Sequence, residues 1–291
     1  MSLTFLWLAG RLAGSLWASI LQKQVLSAGI GSGRLWLVTY GYLTLPAALV
    51  LAAFATPAGS DFWQNALLAA ALDAAGNLAM AAALRVTDLS VFGPLNAFRP
   101  AIAGLAGWIL LDETPTAGGV VGVAILTAGA CWLLAPDGSG SRDAGFRSRM
   151  MAAAWRLLGL CLSTAGAVFL KRATLAGSPE LTLGVWTIAG WISLAAAFTM
   201  TPGLRDSLWT PAPPGKRRLL VIHAAAFFAM QWLTLKVFQH TLLTYSFAFF
   251  QLGMVLQVVL GRWLFDEPHW GRRLTAFAIM SAGALVVLLT G

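Results

Sequence analysis

The sequence predicts an all-α membrane protein of ten transmembrane helices, built as two related five-helix halves, and three observations predict it. The chain of 291 residues is 58% hydrophobic and only 10% charged, where a soluble domain carries about 25% Asp, Glu, Lys and Arg. Its apolar residues fall into ten runs of about 20, the length that crosses ~30 Å of hydrocarbon at ~1.5 Å rise per residue. The second half also matches the first in register.

The ten spans are expected near residues 3–21, 34–54, 63–84, 90–111, 117–135, 152–170, 181–200, 218–238, 244–264 and 272–290. The first lacks a basic leader and a clean small-residue cleavage site, so it is read as a retained helix rather than a signal peptide. Five spans lie in residues 1–135 and five in 151–291, with the polar stretch 136–150 as the linker between two repeats. Small residues crowd the helices: Gly10 and Gly14, Gly118 and Gly122, and the Ala-rich run from Ala69 to Ala83. In lipid, where packing replaces the hydrophobic drive, such residues let helices approach closely.

The repeat shows when Thr87–Leu134 is laid without gaps on Thr241–Leu288. Asp112, Glu113 and Gly129 then fall on Asp266, Glu267 and Gly283. A weaker match sets Trp7, Lys23 and Gly29 on Trp155, Lys171 and Gly177. Because five is odd, the second copy is expected to insert upside down relative to the first, as in many secondary transporters.

Charge sets the expected orientation. The net charge of +8 would point to nucleic acid in a soluble protein, but here the basic residues sit in short loops beside helix ends. One side holds Lys23, Arg34, Arg85, the linker, the 201–218 loop, Arg262, Arg272 and Arg273; the other holds Lys171, Arg172 and Lys236. The positive-inside rule puts the first side in the cytoplasm and both termini in the periplasm, for a chain of the bacterial inner membrane. Nucleic acid is not an expected partner; the lipid bilayer and a small-molecule substrate are. Cys131 and Cys161 lie inside apolar runs and have neither disulfide-framework nor zinc-site spacing.

Each half closes with an apolar helix, a short acidic hinge (LLDETPT in the first, LFDEPHW in the second) and a last helix carrying Ala-Gly. This pattern resembles the drug/metabolite transporter superfamily, specifically its EamA-like exporters, over essentially the whole chain. The resemblance implies a ten-helix bundle around a central cavity open alternately to each side, without nucleotide hydrolysis, in a carrier of amino acids, nucleotide sugars, phosphorylated sugars or drugs. Two features depart from it. Such exporters are drawn with cytoplasmic termini, and the related small multidrug transporters carry a membrane-embedded Glu in the first helix, where this chain has Arg11.

Ionisable and strongly polar groups at bilayer depth are the candidate substrate-binding residues, because each is costly there unless paired or hydrated. They are Arg11; Asp73 with Asn77 one turn on; Asn96 and Arg99, which share a helix face; and Gln231, Gln251 and Gln257 in the second half. Arg11 and Arg99 would receive an anion, and Asp73 would bind an amine or titrate a coupling proton. The structural alternative is an Asp73–Arg99 ion pair, with Arg11 snorkelling and the glutamines bonding between helices. Pro94 and Pro100 should kink the fourth helix, which draws Asn96 and Arg99 toward the pathway. His223 and His240 read as interfacial, and the acid pairs of the two hinges as helix N-terminal caps. The 13 tryptophans fit an aromatic belt; Trp17, Trp186 and Trp191 could instead wall a cavity.

The expected function is therefore a secondary transporter, an exporter, of a small carboxylate-bearing metabolite such as an amino acid, working as monomer or homodimer. Phosphorylated or nucleotide-linked sugars are the competing substrates, for which the two arginines would clamp phosphate. A membrane-embedded enzyme or lipid scramblase is the alternative from another class. No Gly-rich phosphate loop, HExxH or GxSxG occurs, so neither catalytic residues nor a cofactor are expected.

Overall fold

The computed structural model describes residues 2–27, 30, 32–53, 59–84, 98–134, 146–200, 216–253 and 270–290. Every regular element among them is a helix. In chain order these are α1 (Ser2–Ser27), α2 (Ser32–Ala53), α3 (Ser60–Leu84), α4 (Arg99–Leu111), α5 (Ala117–Leu134), α6 (Phe146–Ala176), α7 (Pro179–Met200), α8 (Arg217–His240), α9 (243–253) and α10 (Trp270–Thr290). Five carry stretches long and apolar enough to cross a membrane: Leu3–Gln22, Arg34–Ala53, Ala154–Ala176, Pro179–Thr199 and Arg217–His240.

The solvent these helices suit is read from which side chains face out. Leu6, Leu45, Leu49, Ile109 and Leu289 are each more than 60% exposed, while Thr39, Thr164, Thr174, Thr187 and Ser246 are buried. Large apolar side chains outward and hydroxyls inward is a pattern compatible with a membrane protein.

Local sequence sets the helix ends. Ser178 accepts the Leu181 N–H on its Oγ at 3.1 Å, and Pro179 fills the first position of α7, where no N–H is needed. Thr116 does the same for α5, taking the Gly119 N–H at 2.9 Å. The acid pair of the first hinge therefore does not cap the helix that follows it. Asp112 ends α4 in the left-handed region (φ 54°), and the Glu113 N–H closes on the Gly107 carbonyl at 3.2 Å, a backbone state that Asp tolerates better than most residues. Glu113 reaches forward in sequence instead, and its Oε2 accepts the Leu243 N–H at the start of α9 at 2.7 Å.

The sixth helix is longer than its apolar run. It covers 31 residues from Phe146 and takes in Arg147 and Arg149, which the sequence reading left in the linker. Hydropathy marks the length of helix that suits lipid, whereas backbone hydrogen bonding continues into a polar flank.

The helices group into two compact units, one of Met1–Ala74 with Phe169–His240, the other of Ala75–Val168 with Thr241–Gly291. Each unit draws on both halves of the sequence, and the divisions fall within α3, within α6 and between α8 and α9. In the first unit α1 packs on α8 and α2 on α7, with α8 also meeting α2 and α7. In the second, α5 packs on α10 and on α4.

Small residues make these contacts close. A methyl placed on Gly14 of α1 would sit 3.3 Å from Met230 Cβ on α8, and one on Gly76 of α3 would sit 3.0 Å from the Ser163 backbone N on α6. The register that lays Thr87 on Thr241, carried back along the chain, lays Gly76 on Met230, and the one that pairs Trp7 with Trp155 lays Ser15, next to Gly14, on Ser163. In these registers the α1–α8 and α3–α6 contacts are made by corresponding stretches of sequence. On α5 and α10, Gly129 lies against Met280 while Gly283 lies against Leu126; the repeat register maps Gly129 onto Gly283 and Leu126 onto Met280, so this pair is reciprocal as well.

Candidate functional site

In the first unit, Arg11 sits in the middle of α1, half-buried, and its Nε donates to Thr234 Oγ1 of α8 at 3.4 Å. Thr234 in turn donates to the Met230 carbonyl at 2.9 Å, so its oxygen is oriented to receive the guanidinium. Gln231 is half-buried one turn before Leu235 on the same helix. Asp73 of α3 is half-buried and lies within electrostatic reach of the Tyr40 hydroxyl.

Tyr40 belongs to an aromatic cluster that sequence reasoning did not assemble. Its ring stands 5.5 Å from Trp186 and 5.9 Å from Phe227, and Trp36 lies 5.1 Å from Phe227, all tilted or edge-on. His223 closes the group: it is 1% exposed, stacks on Phe227 and shares a hydrogen bond between Nδ1 and Thr39 Oγ1 at 3.1 Å. His223, which the sequence reads as interfacial, faces α2 in this packing. His240 is exposed. Of the three tryptophans offered as cavity walls, Trp186 is buried in this cluster, whereas Trp17 and Trp191 are 59% and 37% exposed.

A second polar group of this unit, also missed in sequence, joins the ends of α7 and α8. Glu180 Oε1 is 2.9 Å from Lys236 Nζ and accepts the Trp232 Nε1–H at 2.9 Å. The Lys236 ammonium lies 5.3 Å from the Trp232 ring centroid, and Trp232 meets Trp7 edge-on at 5.5 Å. Two features could have flagged it: an acid in the first turn of a helix, favoured by the dipole, and the Trp232/Lys236 spacing of four.

In the second unit, Arg99 opens α4. Its Nη2 donates to Ser163 Oγ of α6 at 3.4 Å, and its guanidinium carbon lies 4.6 Å from the centroid of the Phe247 ring of α9, a cation–π contact. Gln251 is buried, 4% exposed, one turn beyond Phe247 on the same face of α9. Asn77 belongs to this unit and lies in α3. Asn96 and Gln257 lie outside the described residues, as does Pro94, so the helix break expected around Pro94 and Pro100 is described only from Arg99 onward.

Both arginines thus meet a neutral hydroxyl on a facing helix, Thr234 for one and Ser163 for the other. A guanidinium presents a planar fork of donors that matches carboxylate and phosphate.

One solved structure, described only as the crystal structure of a protein, matches 100% of this chain and 98% of its own, with a TM-score of 0.72 at 18% identity. At that identity the likeness is one of fold. No family model matches the sequence, and no curated protein does either.

Proposed function

We propose that the chain is a secondary transporter of the bacterial inner membrane, exporting a small carboxylate-bearing metabolite such as an amino acid by alternating access. The observation that carries this reading is the setting of Arg11 and Arg99. Each is a permanent cation on an apolar helix, with a hydroxyl of a facing helix among its partners, and ionisable groups within membrane helices mark substrate and ion pathways. Asp73, beside Tyr40, supplies the opposite charge that an amino group requires.

The reciprocal contacts of Gly129 with Met280 and Gly283 with Leu126 support a two-repeat organisation, and with five helices per repeat the copies are inverted. Inverted repeats place substrate near the midplane, between the copies. The ten-helix membrane topology with periplasmic termini, and kinship with the EamA-like exporters, belong to the same proposal.

The test is uptake into sealed proteoliposomes holding the purified chain, with labelled amino acids and labelled sugar phosphates offered in parallel. Saturable, competable uptake of amino acids is the expected result. Uptake of sugar phosphates alone would move the assignment to the competing substrate class, and turnover of a substrate without net transfer would replace carrier with enzyme.

A further inference from the structure

A groove of about 780 Å³ opens on the face shared by α4 and α5, wholly within the second unit. It starts at the hinge, at Thr114 and Pro115, and follows α5 from Val120 to Cys131, about 16 Å along the axis at ~1.5 Å per residue. Its rim is apolar and open: Leu105 and Trp108 of α4 are 57% and 58% exposed. Among the described residues that line it there is no Asp, Glu, Lys, Arg or His.

Two hydroxyls interrupt this apolar lining. Thr127 of α5 and Thr244 of α9 both line the groove, and the Oγ1 of each is buried without a hydrogen-bond partner; Thr244 is 4% exposed. A threonine inside a helix ordinarily satisfies its hydroxyl on the carbonyl one turn back, as Thr174, Thr187 and Thr234 do here at 2.7–2.9 Å. Thr127 and Thr244 do not. Opposite Thr244 the α4 residue is Gly104, where a methyl would lie 3.0 Å from the Thr244 oxygen, so the lack of a side chain there leaves room beside the hydroxyl.

We infer that this groove binds the acyl chain of a neutral amphiphile of the bilayer, with Thr244 and Thr127 hydrogen-bonding its hydroxyl or carbonyl oxygens. An unpaired buried hydroxyl is unfavourable until a partner arrives, and a charged headgroup would be stripped of water there with nothing to compensate it. The volume lies within the range of small-molecule sites, about 300–1,000 Å³. The occupant comes from lipid because the walls are apolar helices, Arg99–Leu111 and Ala117–Trp132, with half-exposed side chains at the rim. The inference rests on the membrane reading of the chain and not on its transport activity.

The experiment uses the full chain in lipid nanodiscs and a monooleoylglycerol carrying a diazirine in its acyl chain, photolysed and mapped by peptide sequencing. Saturable labelling of 99–111 and 117–134, competed by unlabelled monooleoylglycerol, is expected. The Thr127→Val/Thr244→Val pair preserves shape and should raise the competing concentration about tenfold, the effect of losing roughly one or two hydrogen bonds, while labelling by an oxygen-free diazirine alkane stays unchanged. Ala128→Phe should block both probes. Non-saturable labelling spread over all outward faces, or valine variants that compete as the parent does, would overturn the inference. So would a Trp108→Arg chain that turns from dimer to monomer, since a second copy would then be the occupant. Release of the chain from membranes by alkaline carbonate would sink the membrane reading itself, a different outcome from a membrane-retained chain without saturable labelling.

Discussion

Gly283 and Gly122 bring the backbones of α10 and α5 into direct contact: a methyl on Gly283 would lie 2.8 Å from the Gly122 carbonyl oxygen, and one on Gly122 would lie 2.9 Å from the Gly283 oxygen. Neither carbonyl can retreat without moving its helix. Gly122→Ala and Gly283→Ala should each destabilise the chain by about 1–3 kcal/mol, the usual cost of overpacking. Thermal unfolding in detergent checks this, with Gly59→Ala as the control, because a methyl there meets nothing within 4 Å.

Glu113→Ala removes the acceptor of the Leu243 N–H and should cost about 0.5–2 kcal/mol, as loss of an N-terminal cap does. Glu113→Gln keeps a neutral acceptor and should lose less. Hydrogen exchange at Leu243 is the sensitive readout: unchanged protection in the Ala variant would show that the 2.7 Å contact contributes nothing to holding α9.

Arg99→Ala should leave a folded chain and abolish transport, with substrate binding weakened by roughly 2 kcal/mol or more, about thirtyfold. Arg99→Lys should recover part of the binding, since an ammonium keeps the charge but not the planar fork. A packing role predicts the reverse: poorly folded protein, restored when Asp73 is neutralised as well. Yield of monodisperse protein, read beside binding, separates the two.

Asp73→Asn should weaken binding of zwitterionic substrates about tenfold more than binding of purely anionic ones, the worth of roughly one charge-assisted hydrogen bond. If Asp73 instead carries the coupling proton, the Asn chain will bind and exchange substrate normally yet fail to accumulate it against a gradient.

A reporter active only in the periplasm should be active when fused after Gly291. Activity from a cytoplasmic reporter at the same point would reverse the orientation and, with it, the side on which Lys171 and Lys236 are placed.

The helices themselves were legible because a lipid-suited helix leaves an unbroken apolar run, and Gly10, Gly14, Gly118 and Gly122 announced close helix contacts through their size alone. Their partners were not legible. Nothing in the local sequence around Arg11 or Arg99 points to Thr234 or Ser163, which lie 223 and 64 residues away in the chain. The aromatic cluster escaped for a related reason: Trp186 stood out as a possible cavity wall, but Trp36, Tyr40 and Phe227 carry no sequence signal that ties them to it, and only packing makes them one group. Glu113 was recognised as a capping acid but given to the wrong helix, because proximity in sequence favoured α5 while its side chain reaches α9.

The pairing of α5 with α10 also orders the birth of the molecule. When Gly118, Gly122 and Gly129 leave the ribosome, the residues they will meet, from Ile279 to Thr290, are still about 150 codons away, roughly eight to thirty seconds at ~5–20 residues per second. For that interval the glycine seam is without its partner helix. The stretch around Gly118, Gly122 and Gly129 is therefore a natural client for whatever shelters incompletely assembled helices, and the synthesis of α10 is what releases it.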